Sequence, residues 1–417
     1  MTEDQLTSRR AIEALRAGVP NRDAVRALGC SQPHIEEKFL EKLQDRRFGG
    51  LLIAGDFGTG KSHLLEYLHH MALERNFVSS KIVISKETPL YDPAKLYRCA
   101  IDAAMVPDKQ GRALHEITQT LNDKSPEYVA FCQRVNSASR DFDARFAATL
   151  YIYEQVRTRD LELRDRVISF WSGHKLNQSE IKRSLRQLGE AATYRFGKIS
   201  EKDLSLQRFR FAAELMTVAG YAGWILLVDE VELIGRYSLL QRAKSYAEVA
   251  RWMGALRNET PLPLVTVFTI TPDFGRAVLE DKNDSEKVRA RLEMRGGEGD
   301  RLLASQAERG MKELQKPTLL KPLKRDSIQA LGGKLREIHA MAYQWSPPAA
   351  QVDCEFLTSG RTRTYVRALI NRMDLARLYP SYHAEIEARE LQPSHAEDKD
   401  LEAPSEGGED NGDNGKE

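Results

Sequence analysis

The 417 residues are 41% hydrophobic and 29% charged, enough apolar side chain to bury a full core and to divide into two or three domains. No run approaches the roughly 18 uninterrupted apolar residues of a membrane span, so no membrane-spanning helix is expected. Met1 to Gln5 also lack the basic-then-apolar layout of a secretory signal, so the cytoplasm is the expected compartment. The net charge of +1 conceals an asymmetry: residues 392–417 hold nine acidic and two basic side chains, leaving the remainder mildly basic. That balance permits nucleic-acid contact without requiring it. Cys30, Cys99, Cys132 and Cys354 lie far apart with no C-x-x-C pair, so neither a disulfide framework nor a zinc site is expected.

In chain order, an amphipathic helix with Ala11, Ile12 and Leu15 on one face breaks at Gly18-Val19-Pro20, and a short helical piece and a helix over about 33–43 follow. Two readings of Gly18, Val19 and Pro20 stand: an apolar turn that packs a purine base, or a plain helix-breaking linker. Leu51 to Ala54 then form an apolar strand leading into Gly55-Asp56-Phe57-Gly58-Thr59-Gly60-Lys61-Ser62-His63, a G-x-x-x-x-G-K-S phosphate loop that opens a helix. Each fixed position has a mechanical reason. Glycines let backbone N–H groups close around a polyphosphate, and the helix N-terminus favours an anion. Lys61 brings an ammonium to the β- and γ-phosphates, and the Ser62 hydroxyl is placed to ligate Mg²⁺.

A second strand over 80–85 ends at Lys86-Glu87-Thr88, where Glu87 reads as a surface residue or as one facing the γ-phosphate. From Lys95 to Ala219 the pattern is almost wholly helical, far more than a βαβ crossover needs, and so reads as an inserted helical subdomain. Its basic faces (Arg157, Arg159, Arg164, Arg166, then Lys182, Arg183, Arg186) read either as solvated helix surface or as contact points for nucleic acid or a protein.

Trp224 to Val228 run into Asp229-Glu230, a buried strand with two carboxylates at its carboxyl end. Asp229 suits Mg²⁺ and Glu230 suits general-base activation of water. A further strand over 264–271 ends in Thr269 and Thr271, and Thr271 is the candidate that orients the attacking water. The segment 285–301, with Gly296-Gly297-Glu298-Gly299, reads as a mobile charged stretch in which Arg289 and Arg291 are candidates for reaching a neighbouring subunit's γ-phosphate. Helices over 317–343 and 361–378 suit a small lid, with Arg363, or failing it Arg361, crossing to the γ-phosphate. The tail should be disordered.

Together these motifs resemble an AAA+ ATPase of the initiator and helicase-loader type. The runs 9–20, 55–63 and 85–91 are similar to the BrxD-type ATP-binding proteins of bacterial BREX phage-exclusion systems. The resemblance implies an α/β P-loop NTPase with a parallel sheet flanked by helices, a large helical insertion and a C-terminal lid. Expected units are an N-terminal helical segment on the nucleotide site (1–45), the two parts of the ATPase core (46–94 and 220–310), the insertion (95–219), the lid (311–390) and the acidic tail (391–417). It also implies ATP and Mg²⁺, DNA as working partner, other proteins of the same defence system, and assembly as a homo-oligomer or hetero-complex. The leading expectation is an ATP hydrolase that binds DNA or loads a partner on it. A slow nucleotide-gated scaffold is the second, and a small-molecule kinase is disfavoured because no arginine-rich acceptor lid follows the loop.

Overall fold

The computed structural model describes residues 1–44, 49–137, 141–256, 263–348 and 362–380. The N-terminal helices are α1 (Glu3–Ala17), α2 (Arg22–Leu28) and α3 (Pro33–Gln44), with a capping box at Thr2 and Gln5 starting the first and left-handed Gly18 ending it. The strand β1 (Gly49–Ala54), helix α4 (Lys61–Glu74) and strand β2 (Phe77–Val83) follow. Next come α5 (Pro93–Asp102), the two-residue β3 (Ala104–Met105), α6 (Ala113–Thr120), α7 (Pro126–Asn136), α8 (Ala144–Val156), α9 (Leu161–Trp171), α10 (Gln178–Gln187) and α11 (Glu201–Val218). The chain then returns to the sheet as β4 (Gly223–Asp229), with α12 (Leu239–Trp252) and β5 (Leu264–Ile270) after it. The remaining elements are α13 (Asp284–Arg295), α14 (Glu298–Leu314), β6 (Thr318–Leu319), α15 (Arg325–Tyr343) and α16 (Thr362–Leu378).

The strands form one mixed α/β sheet in the order β3-β2-β4-β5-β1-β6, parallel except for β3 against β2. Strands β1 and β5 are buried along their whole length, as continuous apolar runs in a sheet covered on both faces should be. Period-two alternation divides them between two cores. Leu51, Ile53, Ile225, Leu227, Val265 and Val267 pack with Phe39 of α3 and Leu64, Leu65 and Leu68 of α4. Leu52, Ala54, Leu226, Val228 and Phe268 face the other side.

That second core runs without interruption into the long helical excursion between β2 and β4, whose centre is aromatic: Phe131, Phe146, Phe170, Trp171 and Phe211. The Trp171 indole N–H donates to Thr149 Oγ1 at 3.0 Å, so its buried donor is satisfied.

Two sequence expectations change. The stretch read as mobile and charged is helical: Gly296 is the left-handed cap between α13 and α14. Helix α14 then lies so close to α12 that a Cβ on Gly310 would sit 1.8 Å from the Tyr246 carbonyl oxygen. A buried bidentate pair, Arg242 to Asp284 at 2.7 and 3.0 Å, anchors the start of α13. Second, Thr318–Leu319 form β6, where helix was expected from Pro317 onward.

Helices α1 and α2 pack against α15 and α16 through Ile12, Leu28, Ile328, Leu335, Tyr365 and Leu369. Arg16 reinforces the junction, with its guanidinium 2.6 Å from Asp374. The opposite ends of the sequence therefore close one helical layer beside the phosphate loop. Arg361 and residues 391–417 lie outside the described residues. No helix among the described residues is long and apolar enough to cross a membrane.

Candidate nucleotide site

The carboxyl edge of the sheet concentrates the chemistry. Because β5 lies between β1 and β4, the phosphate loop after β1 and the carboxylates ending β4 flank the end of β5. The loop turns at Gly58 (φ 80°) and Gly60 (φ 104°), left-handed values that glycine adopts without strain. Thr59 Oγ1 donates to the Asp56 carbonyl at 2.7 Å and closes the turn. Lys61 opens α4 and is 8% exposed, donating from Nζ to the carbonyls of Gly55 at 2.6 Å and Asp56 at 3.4 Å. The Phe57 ring lies 5.0 Å from the same ammonium.

Across the cleft, Ser62 Oγ donates to Asp229 Oδ2 at 2.6 Å, and Thr269 Oγ1 donates to Asp229 Oδ1. Two hard oxygen ligands from different elements thus meet at one point, a donor set that fits Mg²⁺. Glu230 follows in the left-handed region at φ 59°, a conformation that costs free energy for a residue with a side chain. It is exposed, yet desolvation and then the charge of Asp229 raise its carboxyl above the usual range. Thr271, just past β5, is 2% exposed and its hydroxyl has no hydrogen-bond partner. Thr269, the other threonine at this strand end, is the one that holds Asp229.

An apolar-walled cleft of about 910 Å³, open mouth included, adjoins the loop and is lined by Gly18, Val19, Pro20, Thr59, His63 and Arg363 among others. His63 Nε2 lies 3.0 Å from the Gly29 carbonyl, and burial lowers the pKa of its ring. Arg363, in the first turn of α16, donates its backbone N–H to the Gly58 carbonyl at 2.9 Å, tying that helix to the loop. Arg289 and Arg291 stand elsewhere, exposed on α13, with Arg289 paired to Glu293 at 2.7 Å. The structure therefore lines this cleft with Gly18, Val19, Pro20, Thr59, Gly60, Ser62, His63 and Arg363, joins Ser62 and Thr269 to Asp229, and leaves the two α13 arginines outside it.

One family model, the BREX system ATP-binding protein BrxC/D, matches residues 4–390. The chain belongs to that family. Membership identifies the nucleotide as ATP and the setting as a BREX defence system; it covers BrxC and BrxD alike. No curated protein and no solved structure matches the chain.

One residue of this BREX ATP-binding protein's cleft carries no expected role. Glu232 is 4% exposed, neither of its carboxyl oxygens has a hydrogen-bond partner, and Lys61 Nζ lies 3.9 Å away. Burial pushes its pKa up to about 7, against the pull of Lys61 and with the help of Asp229 and Glu230. Its place two residues beyond Glu230 was visible in the sequence; its burial was not.

Proposed function

We propose that the chain is a Mg²⁺-dependent ATP hydrolase of the AAA+ type, working in the cytoplasm with DNA and other proteins of its BREX system, and loading or regulating one of them. The observation that carries the hydrolase reading is the junction of Ser62, Asp229 and Thr269 beside a strained Glu230. Ser62 and Asp229 hold the metal, Lys61 neutralises the β- and γ-phosphates, and Glu230 takes the proton of the attacking water. Thr271 orients that water with its unpartnered hydroxyl. Val19 and Pro20 cover the base, and α15 and α16 serve as the lid that carries Arg363 toward the γ-phosphate. In an oligomer, the exposed α13 offers Arg289 or Arg291 to a neighbour's site.

Support for a nucleic-acid partner comes from the contrast between two basic helices. On and beside α9 most of the cations are neutralised, Arg157 by Asp123, Arg164 by Asp165 and Arg166 by Glu162 and Glu180, with exposed Arg159 the exception. On α10, Lys182, Arg183 and Arg186 share one exposed face, and no described acidic residue pairs with them. Such a face suits phosphate contacts, whose strength falls steeply with salt.

The test is steady-state ATP hydrolysis with and without double-stranded DNA at two salt concentrations. Stimulation that fades as salt rises supports the DNA-coupled ATPase. A slow, DNA-indifferent turnover supports the second reading, a nucleotide-gated scaffold. That reading is favoured by one feature: the hydroxyl of Thr269 is committed to Asp229, leaving Thr271 alone at this strand end to orient water.

A further inference from the structure

Hydrolysis needs one carboxylate for the metal and one for the proton, and three stand at and just beyond the end of β4. Asp229 is bonded to Ser62 and Thr269, and Glu230 is exposed. Glu232 is neither. It lies in the short 3-10 helix Val231–Arg236, which folds back directly after the two motif carboxylates. Burying a carboxyl with both oxygens unpartnered costs folding free energy, so its presence calls for a return other than stability.

The surroundings of Lys61 identify that return. Its ammonium is held by two loop carbonyls, which are dipoles, and, among the described residues, by one acidic side chain within ion-pair range, Glu232 at 3.9 Å. Incoming β- and γ-phosphates must take over the same ammonium. We infer that Glu232 is a positioning residue for Lys61: it holds the ammonium in place in the empty site and competes with the phosphates of ATP for it. Its negative charge also opposes the triphosphate directly, because water screens little inside so buried a corner. Glu232 thereby sets nucleotide affinity below what the loop alone would give, which keeps the site exchangeable. The inference rests on Lys61 contacting the phosphates, as in the hydrolase reading.

The experiment measures binding of ATP and ADP, with Mg²⁺, to the full chain and to its Glu232→Gln and Glu232→Asp variants by calorimetry, beside the melting temperature of each nucleotide-free protein. Glutamine keeps the shape and removes the charge, so Kd for both nucleotides should fall about three- to tenfold. KM for ATP should fall with it, kcat should not rise, and the melting temperature should hold or increase. Aspartate keeps the charge but draws it back by one methylene, and its Kd should lie between the other two. An unchanged or raised Kd in a folded Glu232→Gln protein overturns the inference, as does a loss of folding in both variants, which would make the residue structural. Absence of nucleotide binding by the unaltered chain would instead remove the ATP reading on which the inference stands.

Discussion

Two buried glutamates lie on opposite sides of the phosphate-loop region and have opposite fates. Glu66 and Glu232 are 7% and 4% exposed, so burial alone penalises both charges. Behind the loop, Glu66 accepts from His70 at 2.9 Å and from Lys81, and these bonds overcome desolvation to hold its pKa down to about 2. In front, Glu232 has one cation at 3.9 Å and no hydrogen bond from another residue, and burial raises its pKa to about 7 against the pull of Lys61 and its own backbone N–H. The sheet is the same and the burial is similar; the difference is whether the surroundings complete the charge. At Glu66 both carboxyl oxygens are partnered, whereas at the cleft Glu232, Thr271 and the backbone of Glu230 are left with demands that the fold itself does not answer.

The largest expected effect is at Glu230. Glu230→Gln should lower kcat for ATP hydrolysis about 10²- to 10⁴-fold while Kd for ATP stays within about twofold. Near-normal turnover in a folded variant would remove the proton-acceptor assignment and leave the left-handed backbone there without a chemical purpose.

Next in size is the structural partner of the comparison. Glu66→Gln strands Lys81 and His70 and should cost about 1–3 kcal/mol in denaturant unfolding, a figure discounted because Lys81 is one-third exposed. ATP affinity should be unaffected. The pH dependence has opposite signs at the two sites. For Glu66 the folded pKa lies below the unfolded one, so its stabilisation is present above about pH 4.5 and is lost as pH falls toward 2. For Glu232 the folded pKa lies above the unfolded one, so there is no penalty below about pH 4.5, and one builds up as pH rises to 7. Unfolding curves across pH 3–8 should therefore show Glu66→Gln losing its deficit on the acid side and Glu232→Gln gaining its advantage toward neutrality.

Much of the cleft was legible because its residues answer local requirements. A strand, three glycines, a lysine and a serine at fixed spacing specify a phosphate loop wherever they fold, and four apolar residues before Asp229-Glu230 specify a buried strand ending in carboxylates. What stayed hidden depends on contacts far apart in sequence. The hydrogen bond of Thr269 to Asp229 follows from β5 being placed between β1 and β4, and nothing in the run 264–271 distinguishes its threonines. The packing of α1 against α15 and α16 joins segments more than 300 residues apart. Gly296, Gly297 and Gly299 read as a flexible stretch, yet the first is a helix cap, the second precedes α14 and the third lies in its first turn.

The smallest effect sharpens the comparison inside a single strand. Thr266 and Thr269 are both fully buried in β5, but Thr269 donates to Asp229, whereas the Thr266 hydroxyl has no partner. Removing a hydroxyl costs most when it leaves the partner's polar atom buried and unpaired. Thr269→Val should therefore cost about 1–3 kcal/mol in urea unfolding and weaken the Mg²⁺ dependence of nucleotide binding, since Asp229 loses one of its two side-chain donors and keeps Ser62 and the Glu230 backbone N–H. Thr266→Val removes an orphan hydroxyl, and stability should stay within about 0.5 kcal/mol of the parent or rise. Equal losses at both positions would mean that β5 is sensitive to any change of side chain. Unequal losses would locate the cost in the bond to Asp229, and so in the carboxylate around which the cleft is built.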